Sequence, residues 1–407
     1  MTGQVIRLEP VVNQHDKLKV IGHSADVVVI GGGVIGLTIA RALALRGVRD
    51  VCLLERGSLG NEASFAAAGM LAPQAEADAK DDFFDLACLS RDLYPNFAAS
   101  LLEETGTDIE LDTTGTLYLA LSEHDQRELD KRYDWQTRAG LCVERLDSCD
   151  ARMLEPCINT TVAGALRFPL DIQVENRRLL SALANSVEKL GVKIISETNV
   201  EALTIQRNRL TGLQTASGVL RCSVVVVAAG TWTSFIKFSS EPSTAREHGL
   251  HIEPVRGQMV CLAAKPQLTR HVIYSPRGYI VPRRDGRLLA GSTSELASFT
   301  KQITAGGISS ILINAQEIAP GISKLPITDS WAGLRPRAAD GLPVLGACGE
   351  IEGLFYATGH YRNGILLAPI TGELIAEAIV DGSVSTLLAP FTPNRLGLVS
   401  MNSHASR

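Results

Sequence analysis

The chain has 407 residues, 45% of them hydrophobic and 20% charged, with a net charge of −5. That is ample apolar material for a real core, and the length suits two domains or one with large insertions. The clustered Lys and Arg of a nucleic-acid surface are missing, and no apolar run reaches the roughly 18 residues of a membrane span. The eight cysteines include no CxxC pair, and Cys142, Cys149 and Cys157 follow at intervals of seven and eight. They read as buried free thiols in a reducing cytoplasm, and no metal site is expected.

Residues 1–24 are irregular, mixed in charge and unlike a signal or transit peptide, so they read as a flexible arm. Order begins with a β-branched run at 26–30, a buried parallel strand. Gly31, Gly33 and Gly36 follow in the pattern G-x-G-x-x-G, then a helix over 34–46, Gly47, and a second strand over 51–54 closed by Glu55. Gly31 permits a tight turn, Gly33 lets a pyrophosphate approach the backbone, and Gly36 lets helix and strand pack closely. The helix start, with Val34 and Ile35, offers N–H groups and partial positive charge to that pyrophosphate. Glu55, 19 residues after Gly36, suits ribose hydroxyls and repels a 2′-phosphate, which disfavours NADP. This opening does not separate FAD from NAD.

Next comes Ala66-Ala67-Ala68-Gly69-Met70, a backbone that something flat or bulky can approach, or a helix-packing surface. A strand over 116–121 and a charged, exposed helix over 122–140 follow. An amphipathic helix spans 176–190, then strands at 192–196, 200–205, 210–215 and 222–229, the last ending at Gly230. Residues 239–247 read as a mobile loop. Strands at 258–263, 278–282 and 288–292 make 250–330 a mostly antiparallel second sheet. A strand at 354–357, a turn at 359–363 and a helix over 364–380 close the chain.

Four stretches resemble the D-amino-acid oxidase superfamily, and within it the glycine oxidases of thiamine biosynthesis. They are the opening with Glu55-Arg56, the run from Ala66 to Leu71, Trp331-Ala332-Gly333-Leu334-Arg335-Pro336, and the run from Gly359 to Pro369. Asp340-Gly341-Leu342-Pro343 also fits, and the resemblance covers about residues 25–385. It implies a Rossmann-like α/β FAD-binding domain interleaved with a mostly antiparallel β substrate domain. The expected boundaries are 25–106, 165–235 and 331–385 for the first, 107–164 and 236–330 for the second, and a tail at 386–407.

The resemblance further implies noncovalent FAD, with Ala67, Ala68, Gly69 and Met70 along the isoalloxazine and the Val200 backbone at the adenine. Arg335 and Tyr279 are implied to hold the substrate carboxylate. An arginine fork binds a carboxylate through two charge-assisted bonds, which lysine cannot match. The turn of His360, Tyr361, Arg362, Asn363, Gly364 and Ile365 is implied to touch flavin, with Arg362 also near substrate. His360 reads as structural, because hydride loss from a neutral amine needs positioning rather than a protein base.

The implied reaction is oxidation of glycine, or of small amines such as sarcosine or D-alanine, to the imine and glyoxylate, with oxygen reduced to hydrogen peroxide. A homo-oligomer, a tetramer in relatives, and hand-off of the imine to a thiazole synthase are also implied, in the cytoplasm. Relatives carry histidine where this chain has Arg277 and methionine where it has Ser294, two positions expected to shape the pocket. A D-amino-acid or sarcosine oxidase or dehydrogenase of the same fold stays open. So do an NAD-dependent dehydrogenase and a flavin-binding module without turnover.

Overall fold

The computed structural model describes residues 24–241, 248–396 and 399–400. The arm expected at 1–24 lies outside them save for Ser24, as does 242–247 of the expected loop. Residues 239–241 of that loop are instead the end of a strand, Lys237–Glu241.

The opening folds as read. Strand β1 (Ser24–Ile30), helix α1 (Val34–Leu45) and strand β2 (Val51–Leu54) form a parallel unit in which Val27–Ile30 align with Val51–Leu54. Helix α1 is apolar nearly all round and buried nearly throughout, so it sits inside the domain rather than on its surface. It packs against the helices Asn176–Lys189 and Ala368–Val380. A Cβ at Gly372 would come within 2.6 Å of the Thr38 methyl, which shows how closely the last helix crosses α1.

The first sheet has nine strands. β1 lies between β2 and Gly218–Val227, both parallel to it. Lys193–Ile195 extends it beyond β2, and Arg209–Thr215, Val200–Gln206 and Lys237–Glu241 extend it beyond Gly218–Val227. Leu354–Thr358 also pairs with Gly218–Val227, and Val344–Ala347 follows it.

The second sheet has eight strands, in the order Ile327–Arg337, Glu253–Ala263, Arg287–Gly291, Gly278–Pro282, Val272–Ser275, Thr116–Ala120, Gly164–Phe168, Glu144–Asp147. Every pairing is antiparallel except that of Val272–Ser275 with Thr116–Ala120. The fold class is therefore as expected.

The expected boundaries cut two strands, at 164/165 and 330/331, and place a third with the other sheet. Gly164–Phe168 and Ile327–Arg337 belong to the second sheet, and Lys237–Glu241 to the first. Sheet membership is decided by the partner a strand meets far away in sequence, which a local pattern does not record.

Further corrections are local. The last helix starts at Ala368, not at 364, because Pro369 occupies its first turn and 364–367 is a turn. The helix Asp82–Thr105 was not anticipated. Asp81 caps it, accepting from Phe84 N at 2.7 Å, and Gly106 ends it with φ +73°, but Pro95 interrupts its pattern. The expected tail is packed as far as Leu396, with Leu388 and Phe391 in the core. Of the cysteines only Cys52, Cys222, Cys261 and Cys348 are buried, and Cys142 and Cys149 are exposed. Among the described residues no helix is long and apolar enough to cross a membrane.

Candidate active site

A cavity of about 760 Å³ lies between the two sheets, and residues of both line it. At one end β1 delivers Gly31, Gly33, Val34 and Ile35. Gly31 has φ +109°, a conformation open to glycine alone in practice. Gly33 caps α1 without a side chain, so the helix start faces the cavity uncovered. Ser64 Oγ accepts from Val34 N at 3.0 Å and fixes that start. Gly36 is the one predicted cofactor residue off the lining. A Cβ there would overlap the Gly31 carbonyl oxygen, so its role is the close packing assigned to it.

Glu55 ends β2 with each carboxylate oxygen accepting one amide, Gly32 N at 2.7 Å and Gly57 N at 2.8 Å. The spare lone pairs can accept hydroxyl protons. Val200 and Gly230 line the same cavity, as does Arg56, whose guanidinium stacks 3.7 Å from the Trp232 ring.

Ala67, Ala68, Gly69 and Met70 form a wall of minimal side chains. Gly69 has φ +72° and its would-be Cβ points into the Val174 carbonyl, which leaves the cavity side smooth. The second sheet meets this wall through its long strand Ile327–Arg337. Trp331 Nε1 donates to the Ala66 carbonyl at 3.1 Å, and a Cβ on Gly333 would come 2.5 Å from the Ala66 methyl.

Arg335 projects from that strand over Gly257, where any side chain would collide with the guanidinium. Nη1 donates to the Thr293 carbonyl at 3.0 Å and Nη2 to Ser292 Oγ at 2.7 Å. Among the described residues no carboxylate pairs with Arg335. Its cation is fixed by neutral oxygens and is free to hold an anion. Tyr279 is buried on the same lining, and its hydroxyl donates to the Met259 sulfur at 3.4 Å.

The final turn supplies His360, Tyr361, Arg362, Asn363, Gly364 and Ile365, all on the lining. Arg362 differs from Arg335: its Nη2 donates to Glu76 Oε1 at 3.1 Å and to Tyr274 Oη at 2.6 Å. Tyr274 Oη in turn donates to Glu76 at 2.8 Å. Glu76 and Tyr274 hold the Arg362 cation well above the ordinary guanidinium range, and burial beside Glu76 pushes the Tyr274 phenol far up. Arg362 is thus a charge-paired member of a triad. Sequence reasoning missed Glu76, Tyr274, Met259, Ser292 and Thr293. Only Glu76 left a signal, as the acid that closes the small-residue stretch.

His360 is buried, with Nε2 3.2 Å from Thr371 Oγ1, and burial pushes it down to about 3. It is neutral at working pH and unsuited to be a base there. The unfolded chain takes up this proton near 6.5 and the folded protein only near about 3, so acid favours unfolding across that window. The contribution amounts to at most about 1.4 kcal/mol per pH unit. It is fully present above pH 6.5. The melting temperature of His360→Gln should therefore fall less steeply than that of the parent between pH 6.5 and about 4; parallel curves would refute the assignment.

Arg277 and Ser294 do not line the cavity. Arg277 reaches Glu317 at 2.9 Å on the surface, and Ser294 Oγ lies 3.5 Å from Tyr361 Oη. Their expected shaping of the pocket is reduced to that one contact, because Glu317 draws Arg277 outward.

A βαβ opening whose uncovered helix start shares one cavity with an antiparallel sheet suits a dinucleotide-dependent oxidoreductase. The sequence matches the FAD dependent oxidoreductase family over residues 26–378, and the chain belongs to that family. FAD is its cofactor. The chain is 37% identical over 377 residues to the glycine oxidase of Geobacillus kaustophilus (strain HTA426), covering 92% of this chain and 97% of that one. It is 36% identical over 378 residues to the bifunctional protein ThiO/ThiG of Synechocystis sp., covering 91% of this chain and 54% of that protein, so it spans about half of it. The crystal structure of the Geobacillus kaustophilus glycine oxidase aligns with a TM-score of 0.85 at 35% identity, over 94% of this chain and all of that one.

Proposed function

We propose that the protein oxidises glycine to its imine, with oxygen as the electron acceptor. The reading rests above all on Arg335, a cation on the cavity wall held only by neutral oxygens. Similarity to glycine oxidases over nearly the whole chain supports the choice of substrate.

The lining suits FAD, which the family resemblance takes as noncovalently bound. Glu55 would take the ribose, the α1 start the pyrophosphate, and the Ala67–Met70 wall the ring system, with Val200 beside the adenine. When bound, FAD accepts a hydride from the substrate's α-carbon and returns the electron pair to oxygen as hydrogen peroxide. Arg335 binds the carboxylate through its fork, and the Tyr279 hydroxyl donates a further bond to it. These contacts fix the orientation of the α-carbon, which is the main contribution such a site makes to rate. The Glu76–Tyr274–Arg362 triad stands beside them and engages the Arg362 cation, so that Arg335 is the arginine left for the carboxylate. Neutral His360 takes no proton. Water then hydrolyses the released imine to glyoxylate and ammonia.

In this proposal the substrate amine reacts in its neutral form, because neutral His360 takes no proton and Glu76 is engaged by Arg362 and Tyr274. kcat/KM should therefore rise about tenfold per pH unit below the amine's pKa. A flat profile would contradict this.

The deciding assay is peroxide release from the yellow protein with glycine, sarcosine and D-alanine side by side. Efficiency with glycine equal to or above that with D-alanine is expected. Turnover of D-alanine alone would assign the site to another amine, and no peroxide from any of the three would move it to a dehydrogenase. Transfer of the imine to a thiazole synthase is supported by the ThiO/ThiG relative, whose name joins two activities in one chain. Assembly as a homo-oligomer, in the form of a tetramer, belongs to the same proposal.

A further inference from the structure

Arg283 follows the strand Gly278–Pro282 and is 3% exposed. Its Nη1 donates to Gln173 Oε1 at 2.8 Å. Its Nη2 donates to the Ala68 carbonyl at 2.6 Å and to Asn176 Oδ1 at 3.4 Å. Nε is buried without a partner. Among the described residues no carboxylate pairs with this guanidinium. The acid with most influence on it, Glu175, is engaged by Arg287 at 3.3 Å. Burial lowers Arg283 to about 10, so it stays cationic at neutral pH.

A buried, unpaired cation is costly, and a chain retains one where its charge is used. Arg283 lies directly behind the wall. Ala68 and Gly69 line the cavity, and the Arg283 Nη2 would stand 3.1 Å from a Cβ on Gly69. The same backbone is tied from the same side by Val174, whose N donates to the Gly69 carbonyl at 2.9 Å. Asn176 Nδ2 adds bonds to the Ser64 and Phe65 carbonyls at 2.8 and 3.1 Å. The wall is thus anchored from behind, and the one full charge in the anchor is Arg283.

We propose that Arg283 is a positioning residue for the flavin: it clamps the Ala68–Gly69 backbone, and its buried charge favours the reduced cofactor. This rests on the reading that the wall at Ala67–Met70 faces the ring system. Two electrons and one proton added to the ring leave it with one negative charge, and a fixed cation in a low-dielectric wall stabilises that product over the neutral oxidised form.

The test is the midpoint potential of the bound flavin, equilibrated against a reference dye without substrate, so that it is independent of which amine is oxidised. Arg283→Met should shift the reduced-to-oxidised ratio about tenfold toward oxidised, a fall of about 30 mV for a two-electron couple. Arg283→Lys keeps the charge but not the fork. It should hold the potential to within about threefold in that ratio while weakening FAD binding about fivefold or more. Should Arg283→Met fail to fold, Gln173→Glu pairs the charge in place and should lower the potential in the same direction. An unchanged potential in Arg283→Met, or in Gln173→Glu, overturns the proposal and leaves a purely structural arginine. Ala67→Val tests the underlying reading separately: it should perturb the flavin absorption spectrum, and an unperturbed spectrum removes the premise.

Discussion

Arg335→Ala is expected to lower kcat/KM for glycine by about 10²–10⁴, the loss of two charge-assisted bonds of about 1.5–3 kcal/mol each. The size follows from the setting. Arg335 has no carboxylate of its own, so its charge is wholly available to the substrate, and Gly257 leaves the guanidinium room to lie flat across the strand. Ser292 Oγ and the Thr293 carbonyl hold the fork in place, so little conformational entropy is lost on binding.

Arg335→Lys should recover only part of the loss, because an ammonium cannot engage both carboxylate oxygens in one plane. FAD content should stay at the parent level in both variants, which separates a binding defect from a folding one. Steady-state kinetics with flavin-normalised enzyme decides the matter: a loss of less than about threefold in the alanine variant would end the carboxylate role.

Gly31→Ala is expected to empty the protein of FAD and to destabilise it by about 2–5 kcal/mol, the sum of a left-handed backbone penalty and an overpacked contact. Both contributions are visible at one residue. Its φ is +109°, and an added Cβ would overlap the Ala228 carbonyl oxygen, with the carbonyl carbon 2.8 Å away. Ala228 N donates to the Ile30 carbonyl at 2.8 Å, so relief of the clash must part the two central strands at the mouth of the cavity.

Gly47→Ala provides the control. Gly47 has φ +87° but nothing within 4 Å of its would-be Cβ, so only the backbone penalty should remain and FAD should stay bound. Urea midpoints and the flavin-to-protein absorbance ratio report both effects. Equal behaviour of the two variants would show that the close approach at Gly31 has no energetic consequence.

The sequence by itself determined the parts of this protein that short-range physics controls. The G-x-G-x-x-G turn, α1, β2 and the position of Glu55 follow from hydrophobic period and glycine placement within about 30 residues. Most of the single strands and the charged helix Glu123–Arg138, capped by Ser122, were legible for the same reason. The family motifs carried Arg335, Tyr279 and the final turn to one cavity.

Tertiary structure alone decided what depends on partners distant in sequence. Ile327–Arg337 joined the second sheet because Glu253–Ala263 was there to pair with it. Arg362 lost its free charge because folding brought Glu76 to it across 286 positions. Arg335 kept its own because the residues folded against it, Ser292 and Thr293, are neutral. Two arginines thus differ in charge environment through their neighbours. Electrostatic environment is a property of spatial neighbours, and a linear pattern of residues does not contain it.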